Sequence, residues 1–377
     1  MDTDTDRAQL IIIAALLIAV LFVGLAVVVN SAIYTENVAT RGATTTGDIV
    51  AEDTESIQRI EESLADANYY DDTADFDERE SRVHADLEEW NTKMAGQSAR
   101  AGQVTGYESA GMTEGVRVSQ DETGDFMPAG EDLVQELLDT TLDPFGLEDR
   151  TSWLVASDVT TRAFELTVDR DALASPPDGV LDNIVYLIDW IIDGNDVFSV
   201  EFVTEDITHR VYLIEQDGDI VALVTEQTSD DPSDQTIIGN CSVSSGEATI
   251  RLSSGEIISN NHHKPCEAFS FVDDIEQYDI YYGGATNVNG TYQFISDKPE
   301  SEFLDDVDDQ YDSFIENILN LITCVLGSCD FTVFESEPNA DGHPYTTSAV
   351  YDVSVTTTYT DDRISHERTV QVAPEAA

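Results

Sequence analysis

The chain has 377 residues, with 76 Asp and Glu against 17 Lys and Arg, and its formal net charge is −59. A negative field of this size disfavours nucleic acid and anionic lipid surfaces, and we expect no nucleic-acid partner. The apolar fraction of 41%, together with recurring strand-like runs, argues against wholesale disorder. Because self-repulsion is screened where the Debye length falls to about 3 Å, at 1 M salt, the composition indicates a halophilic protein.

The first element is an uninterrupted apolar run over residues 10–29. The run is long enough to cross the roughly 30 Å hydrocarbon core of a bilayer as one helix. It predicts a transmembrane helix over 9–35, with the lipid bilayer as its partner. Because a large domain after a short N-terminal tail is usually exported, the predicted localisation is the cell membrane, single-pass, with the C-terminal domain extracellular.

Two amphipathic helices are predicted next. Apolar residues recur at steps of three and four from Ile49 to Leu64, and again from Val83 to Met94, as they do on one face of a helix. The polar segment 68–77 separates the two. Residues 36–105 are therefore predicted as a helical hairpin near the membrane, with a stalk helix interrupted by a loop as the alternative.

From about Gly106 the hydrophobic period changes to two, which indicates β-strands. Asp217-Gly218 is typical of a tight hairpin turn, because both central positions of such a turn favour φ > 0. The predicted strand pairs are 197–204 with 209–215, 211–216 with 220–225, 248–252 with 256–259, 278–282 with 291–295, and 351–359 with 364–372.

Two further amphipathic helices are predicted within the strand-rich region, over 180–192 and 303–325. The acidic run 305–309 resembles a calcium loop at first sight. It lacks the central Gly, and Val307 occupies a ligand position. The preferred interpretation is the acidic first turn of a helix, with calcium binding as the alternative.

The predicted fold class is α+β, with an N-terminal transmembrane helix and a helical stalk before a mostly antiparallel β ectodomain that carries inserted helices. The predicted segments are a leader over 1–8, the transmembrane helix over 9–35, the stalk or hairpin over 36–105, and the β-rich extracellular domain over 106–377.

The cysteines fall into two neighbouring pairs, Cys241 with Cys266 and Cys324 with Cys329. An even number of cysteines on an exported domain favours disulfides, and of the three possible pairings we predict the nearest-neighbour one. Four free thiols, or a zinc site with His262 or His263, are the alternatives.

Two sequons, Asn240-Cys-Ser and Asn289-Gly-Thr, lie in turn-rich sequence and predict a glycoprotein. The chain has no P-loop, no dinucleotide-binding Gly-rich turn, no HExxH and no Gly-x-Ser-x-Gly. We therefore expect no enzymatic activity, no cofactor and no bound metal. A surface hydrolase is retained as a third functional class.

The segment Arg7-Ala8-Gln9-Leu10 places a basic residue and then a small one directly before the apolar run. This arrangement resembles the prepilin-type leader of archaeal type IV pilin-like proteins, which is cut after Gly or Ala while the apolar helix is kept. The resemblance implies leader-peptidase cleavage between Ala8 and Gln9. Ile13 stands where many pilins have a Glu, which argues for a minor component and against a main filament subunit.

Residues 7–41, followed by acidic helices and a strand-rich region, are similar to haloarchaeal pilin-like membrane-anchored surface proteins. The resemblance implies a minor pilin-like or pilus-associated, membrane-anchored surface protein of a halophilic archaeon, with a structural or adhesive role. Pilin-like proteins and a secretion platform are its implied partners, in a homo- or hetero-oligomer. The alternative is a single-pass, membrane-anchored binding or sensory ectodomain with an uncleaved anchor.

Overall fold

The computed structural model describes residues 54–101, 103–129, 152–177, 197–228, 234–319, 333–335, 342–360 and 364–373, together with Ile18, Leu21, Phe22, Leu25, Trp190 and Pro338. The chain forms two compact units, Met1–Arg59 and Ile60–Ala377. The sheets, the core and the candidate site belong to the second unit.

Two sheets dominate the described residues. Sheet A has eight strands: β1 (Val104–Gly124), β3 (Thr161–Asp169), β8 (Glu247–Arg251), β9 (Glu256–Ser259), β10 (His262–Pro265), β12 (Gly290–Ser296), β13 (Tyr345–Thr360) and β14 (Ser365–Val372). Sheet B has six: β2 (Trp153–Val159), β4 (Ser199–Val203), β5 (Thr208–Gln216), β6 (Asp219–Gln227), β7 (Gln235–Val243) and β11 (Tyr278–Gly283).

The spatial order of sheet A is β10-β9-β8-β3-β12-β1-β13-β14, and that of sheet B is β2-β11-β4-β5-β6-β7. The ladders between neighbouring strands are antiparallel. The described helices are α1 (54–69), α2 (Phe76–Ala101), α3 (Phe271–Asp274) and α4 (Glu300–Leu319). Short 3-10 turns cover Arg170–Ala172, Glu267–Phe269 and Ala285–Asn287.

The main hydrophobic core combines side chains from both sheets. The Phe164 ring on β3 lies 5.9 Å from the Phe202 ring on β4, and the rings of Tyr282 on β11 and Tyr292 on β12 are 5.0 Å apart. These aromatic pairs join the facing sides of the sheets, so the polar positions of sheet A lie on its other side, called here its outer face.

The predicted α+β class with a separate helical stalk is wrong, because the described protein is mostly antiparallel β and its helices pack on the sheet. Helix α2 lies against β1 and β13, and the Trp90 ring is 6.3 Å from the Tyr107 ring on β1. Val83 and Leu87, which formed the predicted apolar stripe, are buried. The apolar faces of the helices therefore belong to the β unit. The predicted domain boundaries stay predictions.

The predicted transmembrane helix and single-pass membrane localisation are contradicted. In the part of the chain that the structure describes, no helix is long and apolar enough to cross a bilayer. Within the predicted span 9–35, four residues are described, and all are helical and exposed: Ile18, Leu21, Phe22 and Leu25. The rest of that span, including the cleavage residue Gln9, and the leader residue Ala8 lie outside the described residues.

The tight hairpins are confirmed. Strands β5 and β6 pair up to Gln216 and Asp219, and the two turn residues Asp217 and Gly218 have φ of 52° and 90°. Strands β8 with β9, and β13 with β14, also pair. The predicted pairing of 278–282 with 291–295 is wrong, since β11 belongs to sheet B and β12 to sheet A. Gly284, with φ of 57°, begins the turn that carries the chain between the sheets.

The predicted helix 303–325 begins earlier, at Glu300, and is described to Leu319 as α4. The acidic run 305–309 lies within this helix and not in a loop. Of the predicted helix 180–192, the structure describes only Trp190, which is helical.

Candidate functional site

A row of polar side chains crosses six neighbouring strands of sheet A. Its members occupy directly opposed positions of β13, β1, β12, β3, β8 and β9, namely Tyr345, Ser119, Gln293, Glu165, Arg251 and Glu256. Directly opposed residues of an antiparallel sheet share a face. The alternate residues, such as Val118 and Phe294, belong to the core. The polar row therefore lies on the outer face.

Hydrogen bonds join the members of the row on β12, β3, β8 and β9. Gln293 Nε2 donates to Glu165 Oε1, and Arg251 Nε donates to Glu165 Oε2 at 3.3 Å. Arg251 Nη1 donates to Glu256 Oε1 at 3.2 Å, and His263 Nδ1 lies 3.0 Å from Glu256 Oε2. Burial raises the pKa of Glu256, but the hydrogen bonds from His263 and Arg251 outweigh it and hold the pKa below its usual range.

The β13 end of the row is buried. Tyr345 OH donates to Asp121 Oδ2, and Ser119 Oγ donates to Asp121 Oδ1 at 2.6 Å. Burial, and then the Asp121 carboxylate, raise the pKa of Tyr345 well above its ordinary value. Arg117 Nη2 lies 3.5 Å from Tyr345 OH and pairs with Asp72 in the α1–α2 connection. This ion pair joins the helical segment to the outer face.

A hollow of about 110 Å³ lies over β12, between β1 and β3. Five of its lining residues carry polar side chains on the outer face: Asp121, Glu165, Gln293, Thr167 and Thr291. The register between β1 and β12 shifts beside it, between Gln120 and Gly124, and such an irregularity disrupts the ladder locally.

Tyr69, near the end of α1, contacts Arg117 on β1, a strand that borders the hollow, and is not among the residues that line the hollow. The Arg117 guanidinium carbon is 4.9 Å from the centre of its ring. Burial raises the pKa of Tyr69 to about 12, and the Glu165 and Asp121 carboxylates act in the same direction. The residue keeps 39% of its surface exposed. An accessible aromatic surface therefore accompanies the polar hollow.

The chemistry of the site is that of hydrogen bonding. The hydroxyl of Thr167 is 2.9 Å from that of Thr249, so its neighbour is another hydroxyl and not a basic group that would activate it. Gln120 is fully buried and directly opposes the core residue Tyr292, so its side chain lies on the core face of β1 and not in the hollow. The carboxylates of Asp121 and Glu165 accept one hydrogen bond on each oxygen and retain lone pairs for further donors.

A disulfide joins Cys241 and Cys266, with their Cα atoms 5.8 Å apart. Cys241 lies on β7, at the edge of sheet B, and Cys266 directly follows β10, at the edge of sheet A. The bond therefore ties the two sheets together. It also uses two of the four thiolates that the alternative zinc site could draw on. Cys324 and Cys329 lie outside the described residues.

The two sequon asparagines differ in exposure. Asn240 is exposed on the edge strand β7, whereas Asn289 is half-buried before β12, where its backbone oxygen accepts a hydrogen bond from Asp169 N at 2.9 Å. Thr291, the third residue of the second sequon, lines the hollow. Glycosylation at either asparagine stays a prediction.

The tandem histidines 262–263 lie on β10 and are exposed. Among the side chains that the structure describes, no group of three or more His, Cys, Asp or Glu residues could hold a metal ion.

A family model matches residues 4–128. Its description is "Family of unknown function (DUF7261)". The matched part includes α1, α2 and β1, and thus Ser119, Gln120 and Asp121, but not Glu165 or Arg251. No curated protein and no solved structure matches the chain. The similarity therefore carries no function to the site.

Sequence reasoning missed the polar row and the hollow. The available signal was the alternation of polar residues along β1 (Arg117, Ser119, Asp121) and along β12 (Thr291, Gln293). Such alternation indicates that one face of each strand is polar and the other faces the core. The alternation does not show which strands are neighbours, and the polar row depends on the spatial order of the strands in sheet A.

Proposed function

We propose that the protein is a structural and adhesive protein without enzymatic activity, which presents the outer face of sheet A at β12, β3, β8 and β9 to a partner as a minor pilin-like or pilus-associated component. The observation that carries the proposal is the polar row. Its side chains on β12, β3, β8 and β9 are held by one another, so little side-chain entropy is lost when a partner binds.

Two further features support a display role. The Cys241–Cys266 bond ties the sheets at their edges, and disulfides persist in oxidising environments. The carboxylates of the site, Asp121 and Glu165, each accept hydrogen bonds from neighbouring side chains. These hydrogen bonds hold both side chains in fixed positions on the surface.

The proposal is tested in the native host by shearing filaments from cells, blotting the filament fraction for this protein and measuring adhesion of a deletion strain. We expect the protein in the filament fraction and reduced adhesion without it. Complementation with Arg251→Gln should restore adhesion poorly, because it breaks the polar row. The matched control is Arg100→Gln, which removes one exposed positive charge on α2. A protein absent from the filament fraction, with parental adhesion in the deletion strain, overturns the proposal.

A further inference from the structure

The hollow beside the polar row has a donor and acceptor pattern that selects its ligand. Asp121 and Glu165 each accept one hydrogen bond on each oxygen. A carboxylate has about four lone-pair sites, so each retains capacity for further donors. Two carboxylates repel an anion, and a ligand with several hydroxyl donors satisfies the free lone pairs without bringing charge.

A divalent cation is disfavoured at the same place. The carboxylate oxygens of Asp121 and Glu165 already face the hydrogens of four donors, and Arg251 adds a positive charge beside Glu165. Calcium requires six to eight oxygen ligands with lone pairs directed at the ion. The described residues around the hollow do not form a cluster of three metal-ligating side chains.

The volume of the hollow and the nearby Tyr69 ring restrict the class of ligand further. A space of about 110 Å³ exceeds what one or two ordered waters require. Tyr69 is partly exposed, and its ring lies 4.9 Å from the guanidinium carbon of Arg117 on β1, a strand that borders the hollow. An aromatic ring packs well against the apolar C–H face of a pyranose, while amides and carboxylates bind its hydroxyl edge.

We propose that this hollow binds one sugar residue of a neutral carbohydrate, with Asp121 and Glu165 accepting its hydroxyls, Gln293 and Thr291 completing the polar contacts, and Tyr69 packing against the ring. The inference rests on the proposed adhesive function and names its ligand class. The sugar comes either from a partner surface or from a glycan on Asn289 of the same chain, since the Asn289 sequon ends at Thr291.

The test uses the full-length protein made without glycosylation and saturation-transfer NMR with methyl glycosides of glucose, galactose, mannose and N-acetylglucosamine. At least one glycoside is expected to bind. Glu165→Gln should weaken binding about tenfold, the ratio that corresponds to one charge-assisted hydrogen bond. The control Glu247→Gln makes the same chemical change on β8 outside the hollow and should bind as the wild type does.

Tyr69→Ala should abolish saturation transfer from the protein to the C–H protons of the sugar ring. Tyr69→Phe keeps the aromatic ring and should show the wild-type transfer. Circular dichroism confirms that each variant is folded. In protein carrying its native glycans, Asn289→Gln separates the two sources. If only this variant binds the free glycoside, the glycan of the same chain occupies the hollow. If the unmodified sequence binds equally well, the sugar comes from outside.

The inference is overturned if none of the four glycosides binds to folded protein, if Glu247→Gln weakens binding as much as Glu165→Gln, or if calcium alone perturbs the hollow. Each of these results removes the sugar site and leaves the proposed structural function standing, so the two failures can be told apart. A protein found in the filament fraction that binds no glycoside keeps its structural role and loses the sugar site.

Discussion

The side chain of Asn68 completes the backbone hydrogen bonding of Val350, 282 positions later in the chain. Asn68 Nδ2 donates to Val350 O at 2.9 Å, and Val350 N donates to Asn68 Oδ1 at 2.8 Å. Strand β14 pairs with β13 only as far as Val353. Asn68, which is fully buried, therefore supplies partners that a further strand residue would supply, and it fastens the end of α1 to sheet A.

Asn68→Ala should lower the free energy of unfolding by about 3 kcal/mol, because it leaves a buried N–H and a buried C=O unpaired, at a cost of about 1–3 kcal/mol each. Denaturant unfolding of the purified protein measures the change. The control is Gln97→Ala, which removes an exposed amide on α2 and should change stability by less than about 0.5 kcal/mol. Equal effects of the two variants would contradict the structural role of Asn68.

Gly290 and Gly96 differ in the space available for a side chain. A Cβ on Gly290 would lie 1.9 Å from the Thr167 oxygen, whereas a Cβ on Gly96 meets nothing within 4 Å. Gly290→Ala should therefore push β12 away from β3 and prevent normal folding, which the yield and circular dichroism of the soluble protein report. Gly96→Ala should raise stability by about 0.5–1 kcal/mol, because Gly is unfavourable inside a helix. A folded, fully stable Gly290→Ala protein would refute the close approach.

The Cys241–Cys266 bond closes a loop with a sequence separation of 25. Replacing both cysteines with Ser should lower the free energy of unfolding by about 3 kcal/mol, since the cross-link restricts the unfolded chain. Denaturant midpoints measured with and without reductant provide the readout. Reductant should destabilise the wild type and have little effect on the double variant. A comparable loss in both proteins would assign the effect to other cysteines.

His209 should make stability depend on pH. Its ring is buried, stacks on Phe271 at 4.5 Å, and has an Nδ1 without a hydrogen-bond partner in the described residues. Burial lowers the pKa of His209 below the ordinary value of 6.5, and the nearby Glu226 carboxylate opposes this shift only partly. Between the lowered pKa and 6.5, the unfolded chain binds a proton that the folded protein does not.

Stability should therefore fall on acidification, beginning near the ordinary pKa and continuing until the folded histidine is protonated. His209→Gln should flatten this dependence when unfolding is measured between about pH 7.5 and about pH 5.5. The control His84→Gln replaces an exposed histidine on α2 and should keep the wild-type slope. An unchanged slope in His209→Gln would show that other groups cause the pH dependence.

Local features of the fold were predictable because they depend on neighbouring residues. The turn at Asp217-Gly218 follows from two residues that tolerate positive φ, and the apolar stripe through Val83 and Leu87 follows from helical periodicity. The predicted pairing of β11 with β12 was wrong because closeness in sequence does not place two strands in one sheet. The turn beginning at Gly284 takes the chain into the other sheet.

The candidate site could not be predicted from its residues. Glu165, Arg251 and Gln293 are scattered along the chain and carry no motif, and they meet only because β12 pairs with β3 and β3 with β8. Tyr69 joins them because Arg117 pairs with Asp72 and Asn68 binds β13. These are long-range contacts, each decided by the packing of the whole unit.

The sequence by itself determined the charge of the protein, its strand-forming period, its tight turns and its candidate disulfide cysteines, because composition and short-range sterics act within a few residues. Only the tertiary structure decided that the helices pack on the β unit and that the polar faces of six strands align as one row. The physical reason is that strand order and register are chosen by burial of the shared core, which no single segment contains.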